Sequence, residues 1–249
     1  MGVRALITGL VFVVGFSMNG AQAKTDECVI LLHGLARTAA SMQPLEQMLE
    51  SAGYHVVNRG YPSRKETVDL LAMQAVEAAL AECQSGARVH FVTHSLGGIL
   101  VRAYLHTKRI NRLGRVVMLA PPNQGSEVVD TLRSVPGFSV VNGPAGLELG
   151  TDADSVPARL GPVDFELGVV AGTRSVNLLL SLLLPNPDDG KVSVESARVA
   201  GMADFVTVPS PHPFIMRSKL VHAHILHFLG HGRFAQRTEA GDSEAREHE

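Results

Sequence analysis

The sequence predicts an α/β fold with a mostly parallel sheet of about six strands and helices on both faces. Short apolar runs alternate along the chain with stretches of helical periodicity, which is typical of parallel strands connected by helices. The runs are continuously apolar, as in strands that are buried on both faces. Of the 249 residues, 45% are hydrophobic and 18% are charged, which predicts one globular domain and excludes a disordered chain.

Each element of this fold is predicted by its own pattern. Six apolar runs are the candidate strands, at Val29–Leu32, Tyr54–Val57, Val89–Thr93, Val116–Leu119, Leu167–Ala171 and Phe205–Val208. Four helical stretches accompany them, at Pro44–Glu50, Thr67–Cys83, Leu96–Thr107 and Lys219–Leu229. Because active sites of such sheets lie where the strands end, the residues directly after the strands are the candidates for chemistry.

Both ends of the chain predict segments outside the domain of residues 24–237. Residues 1–23 carry one charge, Arg4, then the apolar run Leu6–Met18 and a terminal Ala-Gln-Ala, which is typical of a cleavable signal peptide. The run is shorter than the ~20 residues that span a bilayer. We therefore expect a periplasmic or secreted product with no transmembrane segment after signal removal. Residues 238–249 are rich in acidic residues and are expected to form a disordered acidic tail.

Two segments suggest a lid. Residues from about 121 to 162 are crowded with proline and glycine, and a long excursion of this kind is typical of a lid or binding loop. The leucine-rich run Leu178–Leu184 is too short to span a membrane. We interpret it as a core or lid helix, and the alternative is a lid that makes transient contact with a lipid interface.

Charge and cysteine content exclude several classes of protein. The formal net charge is −2, from 22 basic and 24 acidic residues, so charge gives no reason to expect nucleic acid as a partner. Two cysteines exclude a four-cysteine zinc site. Cys28 begins the first strand and Cys83 ends a helical stretch, so both lie at the edge where strands begin. A disulfide between them is feasible, and two unlinked buried thiols are the alternative.

The segment from Val89 to Gly98 contains the strongest candidate for a nucleophile. An apolar strand ends at Thr93-His94, Ser95 follows, and glycines open the next helix. A sharp strand-to-helix turn would force Ser95 into a strained conformation with its hydroxyl exposed. Thr93 replaces the first glycine of the usual Gly-x-Ser-x-Gly pattern, which weakens the match. A serine that merely caps a helix is the alternative.

The first strand ends in His33-Gly34, after which the chain must turn beside the serine. The backbone N–H groups of Leu35 and Leu96 are then placed to hold an oxyanion. Without the serine segment, the same residues would indicate only a glycine turn with a packed histidine.

Four motifs together resemble the α/β-hydrolase superfamily, and within it the bacterial lipases and esterases. They are HGLART at residues 33–38, THSLGG at residues 93–98, the segment from Pro187 to Val194, and His212–Met216. The resemblance covers the chain from Cys28 to about Phe234. It implies the core sheet, in a reduced form of the family's usual eight strands, and the order serine, acid, histidine.

The resemblance also implies roles for individual residues. Ser95 is the expected nucleophile, and His212 is the expected base and later acid. Asp189, directly before a glycine, is the preferred acid that orients the imidazole, and Asp188 competes with it. Asp204 is expected to be structural. No cofactor is implied.

The remaining histidines are not expected to bind a metal. His224, His227 and His231 lie three and four residues apart, but no HExxH pattern or nearby carboxylate completes a ligand set. We interpret them as a surface stripe on the last helix. His94, beside the serine, is interpreted as a packing residue.

The leading hypothesis is an exported serine hydrolase that cleaves small-molecule carboxylic esters or lipids through an acyl-enzyme on Ser95. An acyltransferase that uses the same acyl-enzyme is the second hypothesis. A catalytically silent α/β-hydrolase-fold binding protein is the third, and Thr93 and the two candidate acids are its only support.

Overall fold

The computed structural model describes residues 24–235, so the predicted signal peptide and the predicted acidic tail lie outside the described residues. Within this range the chain forms one six-stranded sheet in the order β2-β1-β3-β4-β5-β6, and every neighbouring pair is parallel. The strands are β1 (Lys24–Leu32), β2 (Tyr54–Asn58), β3 (Arg88–His94), β4 (Leu113–Leu119), β5 (Leu167–Gly172) and β6 (Asp204–Val208). All six candidate strands and the predicted fold class are confirmed.

The four predicted helices also form, and all but Leu96–Thr107 have shifted ends. They are α1 (Gln43–Ser51), α2 (Val68–Leu80), α3 (Leu96–Thr107) and α9 (Lys219–His231). Shorter helices lie in the long connections: α4 (Glu127–Leu132), α5 (Phe138–Leu147), α6 (Val156–Leu160), α7 (Leu178–Ser181) and α8 (Val194–Ala197). Short 3₁₀ helices occupy Ala39–Met42 and His212–Arg217.

The apolar runs are continuous because the sheet is covered on both faces. Along β1, Ile30 and Leu32 belong to the cluster that contains α2 and α3, whereas Val29 and Leu31 belong to the cluster that contains α1 and α9. All four side chains are fully buried. Consecutive residues of a strand point to opposite faces, so a doubly covered strand needs an apolar residue at every position.

A disulfide joins the start of the sheet to the end of α2. Cys28 in β1 and Cys83 after α2 are bonded, with their Cα atoms 5.8 Å apart. Of the two alternatives left open by the sequence, the structure therefore has the linked form.

The excursion of residues 121–162 is folded and carries α4, α5 and α6. Arg102 of α3 holds its two ends together: the buried guanidinium donates to the Asn123 carbonyl (2.9 Å), the Pro157 carbonyl (3.3 Å) and the Gly161 carbonyl (2.6 Å). Burial lowers the pKa of Arg102 to about 10. A buried cation thus fastens the excursion to the core of the domain through backbone carbonyls.

One expectation about the last helix needs correction. His224 is buried and packs edge-to-face on Phe234 (ring centroids 5.6 Å apart), because it lies on the same helical face as the buried Ile225 and Phe228. The surface-stripe interpretation is therefore wrong for His224. Within residues 24–235, His, Cys, Asp and Glu side chains form no group that could hold a metal ion. Asp204 accepts hydrogen bonds from the backbone N–H groups of Phe205 and Phe234, as its structural interpretation predicted.

The leucine run Leu178–Leu184 is not part of the core. Leu178, Leu179 and Leu182 are 73%, 77% and 81% exposed, and Leu184 is buried. The core interpretation is wrong, because the helix α7 in this run has no buried residue. The lid interpretation stays a prediction. In the part of the chain that the structure describes, no helix is long and apolar enough to cross a bilayer.

Candidate active site

Ser95 sits on a strained turn between β3 and α3. Its backbone has φ 53° and ψ −120°, a conformation that residues other than glycine rarely adopt. The serine N–H donates to the Leu119 carbonyl (2.9 Å), which fixes the turn against β4. A Cβ at Gly97 would lie 2.4 Å from the Leu32 carbonyl oxygen, so the first turn of α3 crosses β1 at a distance that only glycine permits.

Thr93 is accommodated at the end of β3 without exposure to solvent. The close crossing of α3 over β1 is made at Gly97, where a side chain would clash with the Leu32 carbonyl. The threonine at the position of the usual first glycine therefore leaves the turn intact.

His212 and Asp189 form a buried hydrogen-bonded pair beyond the ends of β6 and β5. The His212 Nδ1–H donates to Asp189 Oδ2 (2.8 Å), and the His212 backbone N–H donates to the Asp189 carbonyl (3.0 Å). Asp189 Oδ1 accepts from the backbone N–H groups of Lys191 (3.0 Å) and Val192 (2.9 Å). The side chains are 5% and 1% exposed. This arrangement leaves His212 Nε2 as a proton acceptor.

Asp188 makes different contacts. Its Oδ1 accepts from the Gly190 N–H (2.6 Å) and its Oδ2 from the Ser181 hydroxyl (2.5 Å). It therefore shapes the loop and anchors α7, and the carboxylate that reaches His212 is that of Asp189.

The Leu35 turn lies beside the serine and has its own supports. A Cβ at Gly34 would lie 3.2 Å from Ser95 Cβ, so the two loops are in contact. Ala36 has φ 55°, and its N–H donates to the Ser63 hydroxyl (3.0 Å). Leu96 is the first residue of α3, where backbone N–H groups have no partner within the helix. Leu35 and Ser95 line the same cavity.

Tyr61 braces the start of the same turn. Its ring stacks on His33 (centroids 4.1 Å apart), and its hydroxyl donates to the His33 carbonyl. Burial raises the pKa of Tyr61 and lowers that of His33. The sequence carries no motif that indicates this support, because Tyr61 lies 28 residues away from His33.

His94 has a larger part in the site than the packing role expected from the sequence. Its Nε2–H donates to the His212 carbonyl (3.1 Å), and the two rings lie 4.8 Å apart. Burial, and then the neighbouring His212, hold the pKa of His94 well below its ordinary value. The neutral ring thus supports the loop that carries His212. The sequence signal that could have indicated this role is the position of His94 directly before Ser95.

Ser95, His212 and Asp189 line one cavity of about 430 Å³. Its other walls are mainly apolar and come from the excursion and from α7; they include Val128, Val129, Leu132, Phe138, Leu149 and Leu180. A hydroxyl, an imidazole and a carboxylate therefore line one space whose mainly apolar walls suit an apolar chain.

The chain is similar to several solved hydrolases of the same fold. A mature lipase of Bacillus licheniformis is 19% identical, with 82% of this chain and 92% of that chain covered and a TM-score of 0.61. Phospholipase PlaB of Legionella pneumophila is 19% identical, with coverages of 89% and 61% and a TM-score of 0.62, so this chain spans about three fifths of that protein. A metagenomic carboxyl esterase is 18% identical, with coverages of 76% and 65% and a TM-score of 0.58.

No curated protein matches the chain. The family described as the Alpha/beta hydrolase family matches residues 29–236, which is nearly the whole of the described range. With its parallel sheet, its strained serine turn and this match, the chain belongs to the alpha/beta hydrolase family.

Proposed function

We propose that the protein is an exported serine hydrolase that cleaves carboxylic esters through an acyl-enzyme on Ser95. The observation that carries the proposal is the strained Ser95 in a mainly apolar cavity that it shares with the His212–Asp189 pair. Backbone strain of this kind costs about 1–3 kcal/mol and persists where function uses it.

In the proposed reaction, His212 Nε2 takes the Ser95 hydroxyl proton as Oγ attacks the ester carbonyl. The N–H groups of Leu35 and Leu96 stabilise the negative oxygen that forms. The carbon–oxygen bond to the alcohol then breaks, and the alcohol oxygen receives the proton from His212. Water attacks the acyl-enzyme by the same route, which releases the acid and restores the serine.

Two further parts of the proposal concern where the protein acts. The Cys28–Cys83 disulfide supports export, because such bonds persist in oxidising compartments. The exposed leucines of α7 support transient contact with a lipid interface, since Leu180 of the same helix lines the cavity. The names of the similar lipase, phospholipase and carboxyl esterase are consistent with an ester or lipid substrate.

A fluorophosphonate probe tests the proposal without a choice of substrate. We expect mass spectrometry to find the adduct on Ser95 of the wild type and to find at least a hundredfold slower labelling of His212→Ala. His231→Ala is the matched control, because His231 is an exposed histidine that does not line the cavity. Absence of labelling in folded protein, with and without detergent, would refute the proposal and favour a binding role.

Product analysis separates hydrolysis from acyl transfer. With an ester substrate and a competing alcohol, we expect free acid as the main product, since the proposed second acceptor is water. A transfer product that dominates at low alcohol concentration would instead favour the acyltransferase.

A further inference from the structure

Two cations border the cavity that holds Ser95. Arg37 lies two residues after Leu35 and Lys191 lies two residues after Asp189, and both residues line the cavity. Their charges act on the same region: burial and then the Arg37 charge lower the pKa of Lys191, and both charges lower the pKa of His94.

Within residues 24–235, no carboxylate lies within 4.0 Å of the charged nitrogens of Arg37 or Lys191. Asp189 is the single acidic residue among the described cavity-lining residues, and its oxygens are already bonded to His212 and to two backbone N–H groups. Asp189 raises the pKa of Lys191, but less than burial and Arg37 lower it. The positive charge at this border is therefore not cancelled by the protein.

The positive region extends past the cavity. Arg37 also lines an adjacent groove that contains Arg64 and Lys65 and, among the described residues that line it, no acidic one. Since the whole chain has a formal net charge of −2, this is a local concentration of positive charge and not a property of the surface in general.

The position of the cations indicates which part of an ester they face. His212 returns its proton to the alcohol oxygen, so the alcohol leaves on the side of His212. Lys191 belongs to the loop that orients His212, because its backbone N–H donates to Asp189 Oδ1. The mainly apolar wall formed by the excursion is left for the acyl chain.

We propose that Arg37 and Lys191 form a subsite for an anionic group, a phosphate or a carboxylate, on the alcohol part of the ester. The proposal rests on the proposed ester hydrolysis and names its substrate class: an apolar acyl chain joined to an anionic alcohol. Arg presents a planar fork of donors and Lys a point charge, and both bind phosphate and carboxylate oxygens.

Three soluble hexanoyl esters test the subsite, with glycerol, glycerol 3-phosphate and choline as the alcohols. The short acyl chain keeps the substrates monomeric, so a preference arises at the site and not at a lipid surface. We expect kcat/KM to follow the order glycerol 3-phosphate, glycerol, choline, and the advantage of the anionic ester to shrink as salt is added.

Variants locate the preference on the two cations. Arg37→Gln and Lys191→Gln should each lower the ratio of anionic to neutral kcat/KM about tenfold, the size of one hydrogen bond to a charged group. Arg37→Glu should shift the preference toward the choline ester. Arg159→Gln is the matched control, because Arg159 is an exposed arginine outside this cavity and should leave the ratio unchanged.

The outcomes separate this proposal from the proposed function. Labelling of Ser95 and hydrolysis of all three esters at similar rates would overturn the anionic subsite and leave ester hydrolysis intact. A preference seen only on anionic vesicles would also overturn it and indicate a membrane contact instead. Titration calorimetry of Ser95→Ala with the three esters measures the same preference without turnover, so tighter binding of the anionic ester supports the subsite even if catalysis fails.

Discussion

The substitution Asp189→Asn tests how the site holds its histidine in one tautomer. Asp189 Oδ1 accepts two backbone N–H groups, and Oδ2 accepts the His212 Nδ1–H. In the variant the amide oxygen must stay with the two backbone donors, so the amide NH₂ faces His212 Nδ1. Two donors cannot share that contact, and His212 must move its proton to Nε2, where it can no longer accept the proton of Ser95.

The expected loss follows from this change of tautomer. Substituting asparagine for aspartate in a catalytic triad lowers kcat by about 10⁴, which corresponds to roughly 5 kcal/mol of activation free energy. We expect a loss of this size in kcat for hexanoylglycerol, with a smaller change in KM. Urea unfolding checks that the variant is folded. We expect it to be folded, because residue 189 retains its two hydrogen bonds with backbone N–H groups.

Asp188→Asn is the matched control for the neighbouring carboxylate. Its amide oxygen can still accept from the Gly190 N–H, and its NH₂ can donate to the Ser181 hydroxyl, so the loop keeps its contacts. We expect activity within about fivefold of the wild type. If Asp188→Asn lost activity while Asp189→Asn kept more than a tenth of it, the assignment of the acid would be refuted.

Four further predictions follow from other contacts. Arg102→Met leaves backbone carbonyls of the excursion without donors and should lower the free energy of unfolding in urea by about 2–4 kcal/mol. Reduction of the Cys28–Cys83 bond should destabilise the fold by at most about 4 kcal/mol, seen as a lower Tm in reductant. Burial lowers the pKa of His90 from 6.5 to about 4, so the stability contributed by its neutral form is complete above pH 6.5 and is lost as pH falls toward 4. Between these pH values, urea titrations should show the free energy of unfolding of the wild type falling by roughly 3 kcal/mol more than that of His90→Gln. His94→Phe should lower kcat at least about tenfold with KM little changed, and His94→Gln, whose amide can donate to the same carbonyl, should recover part of it.

The sheet could be predicted from the sequence because burial on both faces leaves a direct signal in composition. A strand that is buried on both faces needs consecutive apolar residues, as Val29 to Leu32 show. A helical connection then returns the chain to the edge of the sheet where the next parallel strand begins. The run Leu178–Leu184 carries the same composition but lies largely on the surface. Local sequence does not distinguish a buried apolar segment from one that is exposed beside a cavity.

The sequence could predict only those site residues whose position near the end of a strand identifies them. Ser95 directly follows β3 and His212 lies in the short loop after β6, so their places were predictable. The choice between Asp188 and Asp189 depends on which carboxylate the loop turns toward the histidine, and both lie in that loop. Contacts made by Tyr61 and Arg102 span 21 to 59 residues of the chain, and no local pattern indicates them.

The glycine after His33 and the histidine before Ser95 form one physical unit, although they lie in different motifs. A Cβ at Gly34 would lie 2.9 Å from His94 Nδ1, so the glycine is what allows a histidine to occupy the end of β3. That histidine donates to the carbonyl of His212. The Leu35 turn, the serine turn and the His212 loop therefore meet at one buried imidazole, and a change at Gly34 is expected to reach His212 through His94. This contact gives a physical reason for HGLART and THSLGG to occur together in one chain.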